Sequence, residues 1–153
     1  MAIRAMTPQD IPAVFDLYNQ TKLDELAFEP TSFSLIPLAQ DTARRQALLE
    51  SDVYVFAEDT ILGVGAIKHH EIRALFVSAA ARKRGIAKQL LHKMLATALG
   101  PVTLTVVASN APAKLLYQQF GFVEHRNTLA VYNEQTVRVI EMLLANANAN
   151  ANA

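Results

Sequence analysis

The chain has 153 residues, 52% of them hydrophobic, which is enough material for one buried core. Its 14 basic and 14 acidic side chains balance, so no overall field attracts nucleic acid or an anionic membrane, and no apolar run approaches the roughly 20 residues of a membrane span. The absence of cysteine excludes disulfides and thiolate metal sites and, together with the lack of a signal-peptide pattern, predicts a cytoplasmic location.

The first half of the chain alternates helix-type and strand-type patterns. A Thr-Pro pair at position 7 is typical of a helix start, and Asp41 predicts the cap of a second helix. Two apolar runs around a three-residue turn indicate an antiparallel hairpin. The predicted elements are a strand over 3–6, helices over 8–19 and 41–50, and strands over 53–57 and 61–69.

The second half predicts one crossover between parallel strands. Apolar residues recur at helical spacing after Gly85, and Gly100-Pro101 ends that helix. A strand, helix and strand in this order form a right-handed parallel unit. The predicted elements are strands over 71–77, 102–108, 122–126 and 136–144, and helices over 85–99 and 109–121.

The fold class is therefore mixed α/β (α+β), with a mostly antiparallel central sheet, one parallel crossover and helices on both faces. A single domain is expected over residues 1–144. The strict Ala-Asn alternation of residues 145–153 is typical of a low-complexity tail. The segment 21–37 is irregular, and its structure is the least predictable.

Positive charge at the start of the helix beginning near Gly85 is unusual, since the exposed amides there favour anions. Arg82, Lys83 and Arg84 precede it, and Ser78, the nearest hydroxyl, is too far upstream to cap it. An external anion such as phosphate would supply the missing partner, and a residue without Cβ lets it approach closely. The alternative is a solvated basic turn.

This region resembles the GNAT superfamily of acyl-CoA-dependent N-acetyltransferases. The strand Leu75-Phe76-Val77 is followed by Arg82, Gly85 and Ala87 in the family's turn pattern. Further on, the order and spacing of Asn110, Tyr117 and Gly121-Phe122 also match. The resemblance implies an acyl-CoA N-acyltransferase-like fold.

The resemblance also implies an acetyl-CoA site. The turn and helix start would hold the pyrophosphate, and the backbone of the preceding strand would pair with the pantetheine arm. An oxyanion hole in that strand needs a local disruption, for which the sequence gives no signal. The residues expected at this site are Leu75, Phe76, Val77, Arg82, Lys83, Arg84, Gly85, Ile86, Ala87, Lys88, Asn110 and Tyr117.

Two residues are candidates for proton transfer. A Tyr117 phenol, with a reference pKa near 10, can protonate the departing thiolate while remaining neutral itself. The alternative is a packing role among its apolar neighbours. Glu71 is the candidate base for the amine, either directly or through water; a simply solvated glutamate is the alternative.

A metal site is not expected. His69, His70 and Glu71 are adjacent in a predicted strand, where neighbouring side chains point to opposite faces. Gly63-Val64-Gly65 lies within a hairpin, without the third glycine of a dinucleotide fingerprint.

We therefore expect an acetyl-CoA-dependent acetyltransferase acting on a primary amine of a small molecule or peptide, by direct attack in a ternary complex. A non-catalytic acyl-CoA sensor is the alternative, and a homodimer is left open. The segment 21–37 and the loop near 126–135 should border the acceptor cleft. The acids Asp24, Glu25 and Glu29 would favour a cationic amine, whereas Phe28 and Phe33 would favour an apolar body.

Overall fold

The computed structural model describes residues 2–147. Within them, seven strands form one sheet, four α-helices pack around it, and short 3₁₀ helices lie at Pro8–Asp10, Lys22–Leu26 and Ala79–Ala81. The elements are β1 Ile3–Ala5, α1 Ile11–Thr21, α2 Thr42–Leu49, β2 Asp52–Ala57, β3 Ile61–Lys68, β4 Glu71–Val77, α3 Ile86–Thr97, β5 Val102–Val107, α4 Ala111–Gln119, β6 Val123–Tyr132 and β7 Gln135–Leu144.

The sheet has the order β1-β2-β3-β4-β5-β7-β6. Of the strand pairs described, β4 with β5 is the parallel one, and α3 forms the crossover between them. The neighbouring pairs β3–β4 and β5–β7 are antiparallel. The predicted fold class is confirmed, including the position of its single crossover.

Helices cover both faces of the sheet, as predicted. On one face Val14 and Leu17 of α1 and Leu48 of α2 pack on the centre of β2 and β3. On the other face α3 contributes a fully buried stripe that lies over β3 and β4, and three of its residues, Leu91, Met94 and Leu95, also join the core residues of β5 and β7. That stripe consists of Leu90, Leu91, Met94 and Leu95.

Two glycines of β3 let α3 lie unusually close to the sheet. A Cβ on Gly63 would come within 2.8 Å of Ile86 Cγ2, and one on Gly65 within 2.9 Å of Met94 Cε. Real Cβ atoms essentially never approach so closely, so a larger residue at Gly63 would push the first turn of α3 outward, whereas at Gly65 the flexible end of Met94 would shift instead. The Gly-Val-Gly pattern thus serves packing.

The structure corrects two details of the predicted elements. The strand expected over 122–126 runs over Val123–Tyr132, and nearly all of its residues are exposed at the edge of the sheet. A strand exposed on both faces lacks the alternation of apolar and polar residues by which a strand is predicted from sequence. His69, predicted as the last residue of a strand, instead forms with His70 the turn between β3 and β4 and has a φ of 56°.

Two further observations concern the ends of the chain and its helices. Of the predicted Ala-Asn tail, residues 148–153 lie outside the described part, whereas Ala147 is buried against the main core. Among the helices of residues 2–147, none is both long and apolar enough to cross a membrane.

Candidate active site

The parallel strands β4 and β5 separate soon after they begin. They pair at Glu71 with Thr103 and at Ile72 with Leu104, and no further pairs join them in the described residues. The separation leaves a cleft of about 580 Å³. Its walls are Arg73 to Val77 of β4 on one side and residues of α4 on the other.

A bulge in β4 accompanies this separation. Ala66 pairs with Ala74 and Ile67 with Ile72, so Arg73 is an extra residue without a partner on β3. The bulge reverses the side-chain alternation of β4. As a result Ile72 and Leu75, three positions apart, both pack on the core under α3. The local disruption that an oxyanion hole requires, for which the sequence carried no signal, is therefore present in this strand.

The expected anion corner lies beside the cleft. Gly85 is the N-cap of α3 with a left-handed φ of 78°, and no described side chain caps this helix. Lys83 is also left-handed, with a φ of 66°. A Cβ built on Gly85 would meet no atom of the described residues within 4 Å apart from its own chain neighbours, so the chain beside the first amides of α3 is open on this side. These amides fit a phosphate.

The two arginines of the corner form ion pairs with carboxylates from distant parts of the chain. Arg82 donates to Asp24 at 2.5 Å, and Arg84 donates to Glu58 at 2.5 Å. All four side chains are about half exposed, so solvent weakens both pairs. An arriving phosphate can displace such partners.

Tyr117 lies on the opposite wall, where the end of α4 fixes it. Gly121 adopts a φ of 97°, which ends the helix and returns the chain beneath it. The ring of the buried Phe122 then packs edge-on against Tyr117, with centroids 5.9 Å apart. Burial raises the pKa of the Tyr117 phenol, and the nearby negative charge of Glu25 raises it further. Such a phenol is neutral at physiological pH and able to donate its proton.

Asn110 has a structural role as well as a place in the cleft. It is the N-cap of α4, and its Oδ1 accepts a hydrogen bond from the Ala113 amide at 3.4 Å. This cap orients the helix that carries Tyr117.

The third side of the cleft comes from the end of α1 and the Lys22–Leu26 helix. Lys22 forms an ion pair with Glu25, and its ammonium lies 5.0 Å from the ring centroid of Tyr132. The Tyr18 ring meets Phe76 edge-on at 5.8 Å, and the Tyr18 hydroxyl is buried without a partner in the described residues. Phe28 is 58% exposed at this side.

Glu71 lies apart from these groups. It does not line the cleft, and its carboxylate accepts a hydrogen bond from Arg73 Nε at 3.0 Å. Arg73 also binds Glu50, which in turn contacts Lys68. The catalytic role of Glu71 stays a prediction, with a surface ion network as its observed setting. Within residues 2–147, no three His, Asp or Glu side chains are grouped to hold a metal ion.

The sequence profile of the acetyltransferase (GNAT) domain matches residues 21–145, which is most of the chain. The chain belongs to the GNAT acetyltransferase family. The family assignment agrees with the resemblance predicted from the turn at Arg82 to Ala87 and from the Tyr117 region.

Solved structures share the GNAT fold over nearly the whole chain. A ribosomal-protein-alanine N-acetyltransferase from Brucella melitensis is 20% identical with a TM-score of 0.71, over 95% of this chain and 99% of that one. A protein from Salmonella typhimurium, solved with its cofactor acetyl-CoA, is 17% identical with a TM-score of 0.69, over 95% and 93% of the two chains. At such identities the likeness shows the fold alone.

A curated relative of higher identity is much longer. The human cysteine-rich protein 2-binding protein is 42% identical over 71 residues. This match covers 44% of the present chain and 9% of the relative.

Several cleft residues of this GNAT domain were missed or only partly anticipated. The beginning of the irregular segment 21–37 does line the cleft, through Thr21, Lys22 and Phe28, whereas β6 does not. Tyr18 and Arg73 also line it. The bulge that brings Arg73 into the lining has no sequence signature, so Arg73 was not predictable as a site residue.

Proposed function

We propose that this GNAT domain transfers an acetyl group from acetyl-CoA to a primary amine by direct attack in a ternary complex. The observation that carries the proposal is the separation of β4 from β5, which leaves a strand edge between an uncapped helix start and the half-buried Tyr117. An extended arm can add to such an edge as a further strand.

Each part of acetyl-CoA has a candidate partner. The amides of Gly85 to Lys88, with Arg82 and Lys83, would bind the pyrophosphate. The edge of Leu75 to Val77 would pair with the pantetheine arm, and the side-chain nitrogen of Asn110 is available to it. Amides at the Arg73 bulge would then polarise the thioester carbonyl.

Tyr117 would complete the reaction as the general acid. Amine attack on the carbonyl carbon expels the thiolate of coenzyme A, which needs a proton at neutral pH. The phenol is neutral there, because burial raises its pKa. This role supports an enzyme over a protein that only senses acyl-CoA.

The acceptor is a small-molecule or peptide amine. Two of the three acids of the segment bind distant residues, Asp24 with Arg82 and Glu29 with Ser109, whereas Glu25 binds Lys22 on its own short helix. Exposed Phe28 favours an apolar body next to the amine. A cytoplasmic location rests on the cysteine-free sequence, and sedimentation of the purified protein would decide whether it forms a homodimer.

The test is thiol release from acetyl-CoA with a panel of small amines, amino acids, antibiotics and peptides. The wild type should release coenzyme A in the presence of an acceptor, and Tyr117→Phe should lower kcat by about 10²- to 10⁴-fold. Calorimetry should show the same affinity for coenzyme A in both proteins. Binding without transfer to any amine would favour the sensor.

A further inference from the structure

Glu25 is a carboxylate in the cleft that no part of the proposed reaction has yet used. The Lys22–Leu26 helix carries it into the lining, whereas Tyr117 reaches the same cleft from α4. The two side chains are close enough that the charge of Glu25 acts on the Tyr117 phenol. A proton acceptor and a proton donor thus face one cleft from different elements.

Other carboxylates of this region have different settings. Asp24 is the second acid of the cleft lining, and its carboxylate accepts a hydrogen bond from Arg82 at 2.5 Å. Glu71 lies outside the lining and binds Arg73. Glu25 differs from them because it lines the cleft and its ion-pair partner, Lys22, lies on the same short helix, at the side of the cleft where the acceptor is expected.

Lys22 fixes the position of this carboxylate. Its ammonium contacts Glu25 Oε1 and lies 5.0 Å and 5.9 Å from the ring centroids of Tyr132 and Tyr18. The Glu25 side chain is 38% exposed, so solvent and ligands can reach it. The second oxygen, Oε2, is the one that we assign to the acceptor amine.

We propose that Glu25 is the general base of the acetyl transfer, an assignment that rests on the proposed function. Its carboxylate takes one proton from the acceptor ammonium, which leaves a neutral amine. The amine nitrogen then forms a bond to the thioester carbonyl carbon, and the carbon–sulfur bond breaks. Tyr117 protonates the departing thiolate, the second nitrogen proton passes through solvent to restore the phenol, and Glu25 releases its proton to solvent.

Acceptors of different basicity test this assignment. A simple alkylamine is protonated at neutral pH and needs the base, whereas methoxyamine is already neutral there. Glu25→Gln should lower kcat/KM by at least about 100-fold with the alkylamine and by no more than about 5-fold with methoxyamine. Glu25→Asp should retain part of the activity. Glu124→Gln, on exposed β6, is the matched control and should behave as the wild type with both acceptors.

Three results would overturn the assignment. An equal loss with both amines would mean that Glu25 binds the acceptor or supports the fold, which circular dichroism and coenzyme A affinity would separate. A selective loss in Glu71→Gln, with Glu25→Gln unaffected, would return the role to Glu71. If the wild type binds coenzyme A but transfers to no amine, the proposed function fails, and the base assignment fails with it.

Discussion

Asp24 and Arg82 lie 58 positions apart in the chain, and Arg82 Nη2 donates to Asp24 Oδ2 at 2.5 Å. The pair joins the Lys22–Leu26 helix to the corner at the start of α3. A diphosphate at that corner must compete with Asp24 for the same guanidinium. If the corner binds the diphosphate as proposed, cofactor binding and the position of the Lys22–Leu26 helix are linked through this ion pair.

Removing this competition should strengthen cofactor binding. Asp24→Asn leaves Arg82 available to the phosphate, and exposed ion pairs of this kind are weak, so we expect coenzyme A to bind about 2- to 5-fold more tightly. Calorimetry at low and high salt measures the effect. Asp16→Asn, on the exposed side of α1, makes the same change in net charge and should leave the affinity unaltered. Weaker binding by Asp24→Asn would show that Asp24 supports the site.

Activity should not decline at alkaline pH through ionisation of Tyr117. Burial, and then Glu25, raise the pKa of this phenol, so the protonated donor persists beyond the ordinary tyrosine pKa of about 10. A profile of kcat between about pH 6 and pH 10 checks this expectation. A falling limb in that range that is absent from the residual activity of Tyr117→Phe would contradict it.

Two tyrosines should respond in opposite ways to loss of the hydroxyl. The Tyr18 hydroxyl is buried without a partner in residues 2–147, so Tyr18→Phe should leave stability unchanged or raise it by about 1 kcal/mol. The Tyr132 hydroxyl accepts a hydrogen bond from the Ile36 amide at 2.9 Å, so Tyr132→Phe should lower stability by about 1 kcal/mol. Urea unfolding of both variants makes the comparison, and a clear loss in Tyr18→Phe would reveal a hidden partner.

Asp10 should make folding sensitive to acid. Its side chain is 11% exposed, and it accepts hydrogen bonds from both terminal nitrogens of Arg4 and from the Thr7 amide. These contacts hold the pKa of Asp10 well below its usual range, and the hydrogen bonds from Arg4 have the largest effect. Because the folded pKa is lowered, the stabilisation is present above the unfolded pKa of about 4 and is lost as pH falls below it.

The corresponding variant is Asp10→Asn. It should lower the free energy of unfolding at pH 7 by about 1–3 kcal/mol and should flatten the loss of stability below about pH 4. Denaturant unfolding at pH 7 and below about pH 4 measures the stability of each protein and its loss in acid. An unchanged acid response in Asp10→Asn would assign the sensitivity to other carboxylates.

The sequence was a good guide to elements with strong periodicity or caps. The crossover at α3 follows from the apolar spacing after Gly85, and the Asp41 and Asn110 caps begin α2 and α4 as expected. Gly121 stops α4 where predicted. In each case the signal depends on neighbouring residues alone, so it is readable without the tertiary fold.

The parts that were not predictable depend on contacts between distant residues. The Arg73 bulge arises from the pairing of two strands and has no residue type of its own. Asp24 and Glu25 lie in a segment without periodicity, so only the fold shows that they meet Arg82 and Tyr117 in one cleft. The length of β6 was underestimated because its residues are exposed on both faces of the sheet and therefore show no apolar alternation.

Gly63 of β3 lies beneath the first turn of α3, so its effect extends beyond the packing of the core. The absence of a side chain at Gly63 lets Ile86, in the first turn of α3, pack closely on β3, and the amides of that turn are the ones proposed to bind the diphosphate. A larger residue introduced at Gly63 to stabilise the core would move the first amides of α3 away from the edge of β4. A more stable protein would then bind acetyl-CoA more weakly, although every residue proposed to contact it is unchanged.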